Sequence, residues 1–264
     1  MLYAGFFLQR RKRMDVFFTV YETASGGIVL YGTVHLGWLA FGLFFLLAAA
    51  VLYRRCGGSG RRRWLSGIAA VQIFGELTKY TVVFLAGYPD VQYLPLHLCS
   101  VCMFASVGYA VRPAEETGEF LFAAALPGAL AALLFPGWTA LPPGSYLSVH
   151  SFFFHILLLA SVLLPLAAGE IRPDVRRLPG CAGTMLFLLP MTAAVNRRFD
   201  TNFFFLSLPG AGNPLSFAAD RWGIAGYSAA LVLVCLLLWS VLYGTVFFIT
   251  KFYFDNRKIS IDKI

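Results

Sequence analysis

Charged residues are scarce in this sequence. Lys, Arg, Asp and Glu make up 13% of the 264 residues, whereas soluble domains carry about 25%. No stretch between the apolar runs is long or amphipathic enough to close a hydrophobic core of its own. The apolar runs are continuous and lack the alternation over about ten residues that is typical of a transmembrane β-barrel. These absences exclude a soluble globular protein and a barrel.

Acidic residues are scarcer than basic ones, with 13 Asp and Glu against 21 Lys and Arg. The net charge of +8 could suggest a nucleic-acid partner, but the arginines lie beside the apolar runs. Basic residues in that position set membrane topology and contact anionic headgroups. We therefore expect membrane lipids as partners and no nucleic acid.

Seven apolar runs of about 20 residues follow one another along the chain, each long enough to span a bilayer as a helix. They cover 30–53, 64–87, 92–111, 118–136, 146–168, 181–198 and 223–250. This pattern predicts an all-α, polytopic membrane protein in which a single seven-helix transmembrane domain covers 28–250. The connection 199–222 is aromatic and rich in Gly and Pro, as an interfacial or re-entrant segment would be. No internal repeat is evident.

Basic residues are distributed unevenly between the two sets of loops. Thirteen Lys and Arg flank the spans on one side and seven on the other, or three if Met14 is the true start. The positive-inside rule then predicts an external N-terminal segment, 1–27, and a cytoplasmic tail, 251–264. The expected location is a bacterial plasma membrane.

Several polar residues interrupt the spans, where an ionisable group costs at least a few kcal/mol and is a functional candidate. Alternating span direction and a rise of about 1.5 Å per residue place nearly all of them in the outer half of the membrane. They are His35, Gln72, Glu76, Lys79, His97, His150, His155 and Asn196. A polar cavity open to the outside would explain this shared depth, with inner halves that are almost purely apolar.

Each of these residues also has a structural explanation. Glu76 and Lys79 are three residues apart on one helix face, so they could be a neutralised ion pair as readily as a functional one. His35 could be a hydrogen bonder between helices, and His150 an interfacial residue. For His155 the structural and functional explanations remain equally open.

The segment "LPLHLCSVC" holds His97, Cys99, Ser100 and Cys102. The CxxC spacing is compatible with redox chemistry or metal binding, but two small thiols in an apolar helix are more often packing residues. In a regular helix, positions i and i+2 point about 200° apart, so His97 would share a face with Ser100 and not with Cys99. Pro95 leaves an irregular first turn open. No HxxxH or HExxH spacing supports zinc, and no cofactor is expected.

Five segments carry a resemblance to a known family. "LYGTVHLGWLAF", "GELTKY", "LPLHLCS", "FFFHILLL" and "VNRRFDTNFFFL" resemble, in order, the YwaF-like family of uncharacterised bacterial integral membrane proteins. The resemblance implies a polytopic membrane fold and a shared residue pattern. That pattern comprises His35, Glu76, Lys79, His97, Cys99, His155, Asn196, Thr201 and Asn202. A eukaryotic group of multi-span acyltransferases and lipid hydrolases is similar in architecture, but "PLHLC" does not clearly match its nucleophile pattern.

Two functions compete at this point. In a lipid acyltransferase or hydrolase, the general base would be His97 or His155 and the nucleophile Cys99 or Ser100. Substrate-binding groups would then come from a second set of residues, some of which could steady an oxyanion or a headgroup. That set is His35, Glu76, Lys79, Asn196, Thr201 and Asn202. In a transporter or solute receptor, the same cavity would hold a solute and the ion pair would act as a gate.

Overall fold

The computed structural model describes residues 16–19, 27–87, 90–207, 209 and 213–261, and side chains up to 251. The described part of the chain contains seven helices that are long and apolar enough to cross a membrane. The helices that form these spans are α1 Thr33–Arg55, α2 Gly58–Leu85, α3 Leu98–Val111, α4 Glu115–Leu134, α5 Tyr146–Ala167, α6 Leu178–Phe199 and α7 Ser216–Ile261. The span that contains α3 is Val91–Val111, so it includes the turn that precedes this 14-residue helix. The predicted all-α architecture with seven transmembrane helices is confirmed. Most of the predicted segment 1–27 lies outside the described residues, whereas residues 251–261 of the predicted tail continue α7 as helix.

Helix α5 forms the centre of the bundle. Its most apolar window is 72% buried, and it packs against α1, α2, α3 and α4. A helix that is hydrophobic on all sides is stable only when it is surrounded, and Phe152, Ile156 and Leu158 are fully buried. Helices α6 and α7 are peripheral, because their most apolar windows are each only 6% buried.

Helix α3 begins later than the run 92–111 predicts. A 3₁₀ turn, Val91–Tyr93, is followed by a second turn, and the α-helix starts at Leu98. Pro95 forces the preceding residue out of the helical region, and Leu94 has an extended ψ of 151°. His97 is the N-cap residue, with φ −70° and ψ 153°. The expectation of a regular helix through His97 is therefore wrong.

Helix α4 contains a π-helical turn, Leu121–Ala125, to which α7 is attached. The indole nitrogen of Trp239 donates to the Ala123 carbonyl at 2.9 Å. One turn earlier, the Glu119 carboxylate accepts hydrogen bonds from the Tyr243 hydroxyl and from the Asp174 amide. Glu119 is only 2% exposed, so the end of the bundle where α4 begins also contains a buried carboxylate.

Helix α7 is divided by Gly223, whose φ of 65° and ψ of −165° interrupt the helical geometry. A glycine accepts this conformation without strain. Residues 216–222 therefore form a separate short helical piece, and the long apolar helix starts where the hydrophobic run predicted it. Part of the connection expected to be interfacial or re-entrant, 208 and 210–212, lies outside the described residues.

Candidate functional site

A group of polar side chains meets at the end of the bundle where α1, α3 and α5 begin and α2, α4 and α6 end. Its central contact is the ion pair on α2: the Lys79 ammonium lies 2.6 Å from Oε2 of Glu76. The two side chains are only 15% and 8% exposed. Residues three apart on a helix are neighbours, and the predicted pairing of Glu76 with Lys79 is confirmed.

His150 extends this ion pair onto α5. Its Nε2 lies 3.9 Å from Oε1 of Glu76, and its side chain is 9% exposed. A Cβ atom on Gly75 would lie 3.2 Å from the same nitrogen, so a glycine at this position lets α5 approach α2 closely. His150 is thus packed against α2, and its predicted position at the membrane interface stays a prediction.

His155 lies five residues further along α5 and has one unoccupied ring nitrogen. Its Nδ1 is 2.7 Å from the Ser151 carbonyl, and a carbonyl oxygen only accepts hydrogen bonds, so Nδ1 carries the proton. The lone pair then resides on Nε2, which hydrogen-bonds to none of the described residues. Trp138 stacks on the ring, with centroids 5.1 Å apart and planes 15° from parallel.

His97 and Cys99 lie at the start of α3, beside the same group. The amides of Ser100 and Val101 both donate to the His97 carbonyl, at 3.0 and 3.1 Å. Cys99 is the second residue of the helix, where amide groups have no carbonyl of a preceding turn to bond. Because His97 precedes the helix, the objection that it must point away from Cys99 no longer holds. Ser100 is buried within the first turn.

Electrostatic interactions connect these residues to the Glu76–Lys79 pair. Cys99 lies within electrostatic range of the Glu76 carboxylate. His97 lies within electrostatic range of both Lys79 and His155. His155 in turn lies within range of Lys79. Cys99 and His155 therefore both lie within electrostatic range of one ion pair. We use the term Glu76 cluster for the set Glu76, Lys79, His97, Cys99, His150 and His155.

Asn196, Thr201 and Asn202 build the turn that follows α6. The Asn196 side chain accepts from the Phe203 amide and the Thr201 hydroxyl, at 2.8 and 3.0 Å, and donates to the Phe203 carbonyl at 3.0 Å. Asn202 accepts from the Ser207 amide at 3.0 Å. The turn brings the Phe203 ring to 4.9 Å from that of His97. The turn that these residues form borders the Glu76 cluster. Contact of their side chains with a substrate stays a prediction.

His35 lies apart from the Glu76 cluster. Its Nδ1 accepts from the Tyr31 amide at 2.9 Å, and its Nε2 therefore donates to the Leu133 carbonyl at 2.7 Å. The residue is completely buried, and the Phe152 ring packs against it at 6.0 Å. His35 thus joins the start of α1 to the end of α4, as the hydrogen-bonding explanation expected.

A comparison with protein-family models identifies the family of this chain. The model of the TMEM164 family matches residues 30–250, which is most of the chain. The chain belongs to the TMEM164 family. Searches of the curated proteins and of the solved structures found no match. A membrane protein family agrees with the seven helices. The match supports neither the YwaF-like name nor a similarity to acyltransferases.

The site of this TMEM164-family chain includes one residue that the sequence did not predict. Trp138 lies in the connection between α4 and α5, and its buried indole Nε1 has no hydrogen-bond partner among the described residues. Its ring contacts both His155 and Phe152 at 5.1 Å. The only signal in the sequence was an aromatic residue within a Gly- and Pro-rich loop. Buried donors without partners are unusual and mark this position.

The Glu76 cluster does not have the geometry of a metal site among its described side chains. Among the residues that the structure describes, no group of three or more His, Cys, Asp and Glu side chains is placed to hold a metal ion. The arrangement instead offers a thiol at a helix start and a neutral imidazole with a free lone pair. The external cavity around these residues stays a prediction.

Proposed function

We propose that this protein is a membrane-embedded enzyme that transfers or hydrolyses the acyl groups of lipids. Cys99 acts as the nucleophile and His155 as the general base. The substrates are lipids because the Glu76 cluster lies within helices that are long and apolar enough to cross a membrane. His97 is the alternative base.

The observation that carries the proposal is the hydrogen bond from Nδ1 of His155 to the Ser151 carbonyl. This bond orients the ring and fixes the tautomer with the lone pair on Nε2, as a general base requires. Among the described residues, no carbonyl accepts a hydrogen bond from the His97 ring, which instead packs against the rings of Phe203 and Phe205. The choice of His155 over His97 rests on this difference.

The position of Cys99 supports its role as nucleophile. A thiol in the first turn of a helix benefits from the positive end of the helix dipole, which favours the thiolate. The amide groups of that turn are also suited to donate to a developing oxyanion. Ser100, the other candidate nucleophile, is buried one residue further on, and nothing favours it over the more nucleophilic thiol.

The reaction proceeds in two halves. As Sγ of Cys99 attacks the ester carbonyl carbon of the donor lipid, Nε2 of His155 takes the thiol proton. The ester C–O bond breaks, the lysolipid oxygen receives that proton, and the acyl group remains on Cys99 as a thioester. A hydroxyl group of an acceptor lipid, or water, then gives its proton to Nε2 and attacks the thioester. The C–S bond breaks and the thiolate is protonated.

Two neighbours assist this chemistry. The unpaired Nε1–H of Trp138, whose ring stacks on His155, donates to a substrate oxygen. Lys79 and Glu76 neutralise each other and keep the surroundings of Cys99 polar without a net charge. None of the three residues exchanges protons in the scheme. Trp138 contacts the substrate, whereas Glu76 and Lys79 are positioning residues.

Acyl transfer between lipids in proteoliposomes tests the proposal. The purified protein is supplied with a phospholipid carrying an isotopically labelled acyl chain and with an unlabelled lysophospholipid, and products are quantified by mass spectrometry. Cys99→Ala and His155→Gln should each lower the rate by a factor of about 100 or more. Cys102→Ala, one turn further along α3, is the matched control and should retain the activity.

The alternative outcomes are distinct. Activity that survives Cys99→Ala but not Ser100→Ala would assign the nucleophile to the serine. Loss of activity in His97→Gln but not in His155→Gln would identify His97, at the start of α3, as the general base. Movement of a solute across the vesicle membrane, without any change in the lipids, would favour the transporter hypothesis.

A further inference from the structure

A groove runs between the starts of α4 and α6, at the end of the bundle opposite to the Glu76 cluster. Its volume is about 470 Å³. Glu116 and Phe120 of α4 line one side, and Arg176, Gly180, Cys181 and Thr184 line the other. We call it the α4–α6 groove. The loop that leads into α6 carries Arg172, Arg176 and Arg177, so the groove opens at the level of a basic loop.

One of the three charged groups that line the groove is already paired within the protein. Arg177 forms ion pairs with Glu115 and, at 3.8 Å, with Glu119. The guanidinium of Arg176 and the carboxylate of Glu116 differ from Arg177 in their contacts. Neither contacts an opposite charge within 4.0 Å in the part of the chain that the structure describes, and they are not paired with each other. Among the described residues that line the groove, Arg176 is therefore the cation and Glu116 the anion without an ion-pair partner.

Below these charges the groove is apolar and lies on a lipid-facing helix. Phe120 and Cys181 are buried at its base. Gly180 and Thr184 are one turn apart on α6, whose most apolar window is only 6% buried. A Cβ atom on Gly180 would meet no atom within 4 Å. A chain of methylene groups therefore has room to lie against this face of α6.

We propose that the α4–α6 groove binds a phospholipid with a zwitterionic headgroup that ends in a primary amine. Its phosphate pairs with Arg176, its ammonium group donates to Glu116, and an acyl chain lies over Gly180 and Thr184. A purely anionic headgroup would be repelled by Glu116. A choline headgroup carries no N–H to donate, so it would gain less from the carboxylate.

Native mass spectrometry of the detergent-purified protein tests this site. The protein is mixed with equal amounts of phosphatidylethanolamine, phosphatidylcholine and phosphatidylglycerol that have identical acyl chains. The ethanolamine lipid should be retained in excess over both others. Arg176→Gln should weaken its binding about tenfold, since a charge-assisted hydrogen bond is lost. Glu116→Gln should lower binding of the ethanolamine lipid to the level of the choline lipid.

A steric pair of variants provides the matched control. Gly180→Leu places a side chain inside the groove, whereas Gly183→Leu places the same side chain on α6 outside it, and neither Cβ would meet an atom within 4 Å. Only Gly180→Leu should abolish retention of the lipid. Equal retention of the three lipids, a preference for phosphatidylglycerol, or equal effects of the two leucine variants would overturn the proposal. None of these outcomes bears on the chemistry assigned to Cys99, because that residue lies at the other end of the bundle.

Discussion

Glu76 and Lys79 form an ion pair in which both charges are largely shielded from solvent, with side chains that are 8% and 15% exposed. Removing two charges from water is expensive, and their mutual attraction offsets this only while both are present. His150 lies against the same carboxylate. Each charge of the pair is therefore compensated only as long as both partners remain.

Removal of one partner of this pair should destabilise the protein. Glu76→Gln leaves the Lys79 ammonium buried without a counter-charge, and such a change costs roughly 3–5 kcal/mol in soluble proteins. The double variant Glu76→Gln with Lys79→Met should recover part of the loss. Thermal unfolding in detergent, followed by intrinsic fluorescence, measures both variants.

The Glu115–Arg177 pair supplies the control. Glu115 is 74% exposed, and pairs of this kind contribute about 0–1 kcal/mol, so Glu115→Gln should hardly change the unfolding temperature. Equal stability of Glu76→Gln and the double variant would show that the two α2 residues do not depend on each other.

At the scale of secondary structure, the turn after α6 determines what surrounds His97. Asp200 adopts a left-handed conformation with φ 53°, and Phe204 and Phe205 also have positive φ values of 59° and 53°. Such conformations are uncommon outside glycine and need support from neighbours. The three hydrogen bonds of the buried Asn196 side chain supply it.

Asn196→Ala should therefore destabilise the protein by about 1–3 kcal/mol, since it leaves the buried Phe203 amide without an acceptor. Asn202→Ala removes a hydrogen bond to the exposed Ser207 amide and should have a smaller effect. Urea or thermal unfolding in detergent compares the two. If both variants unfold alike, Asn196 does not hold the turn.

The elements show what the sequence could and could not predict. Hydrophobic run length predicted seven helices, because the requirement to span a bilayer acts on each segment by itself. The spacing of Glu76 and Lys79 predicted their contact for the same local reason. The start of α3 was missed, although Pro95 is visible in the sequence, because the hydrophobic run continues through it. The irregular start is what makes Cys99 a helix-terminal residue.

Other features depend on contacts between distant parts of the chain. Glu119 was not recognised as a buried polar residue, because one of its partners, Tyr243, lies 124 positions away. Trp138 was missed because nothing in a loop sequence indicates that its ring will stack on His155. Neither contact could be derived from periodicity or spacing, since both arise only when the helices assemble.

At the scale of the whole molecule, the helices form two polar layers separated by an apolar core. One layer is the Glu76 cluster. The other contains the hydrogen bond from the Tyr53 hydroxyl to Glu170, at 2.6 Å, and the ion pairs of Arg177. The core between them is formed mainly by α5. Chemistry at Cys99 and lipid binding at the α4–α6 groove would therefore occur at opposite faces of one membrane.

The basic residues of the loops predict which polar layer lies at the cytoplasmic face of the membrane and which at the external face. Thirteen Lys and Arg lie on the side of the α1–α2, α3–α4 and α5–α6 loops, against seven on the other side. Reporter fusions after Gly58 and after Pro142 should therefore score cytoplasmic and external, respectively. The reverse result would put the Glu76 cluster on the cytoplasmic side.

The most direct test of the central claim is the detection of an acyl thioester on Cys99. The purified protein is incubated with a phospholipid carrying an alkyne-tagged acyl chain, digested and analysed by peptide mass spectrometry. The account predicts a modification at Cys99 that hydroxylamine removes, that is absent from Cys99→Ala and strongly reduced in His155→Gln. Acylation at Cys102 instead, or lipid turnover with no modified cysteine at any time point, would contradict it.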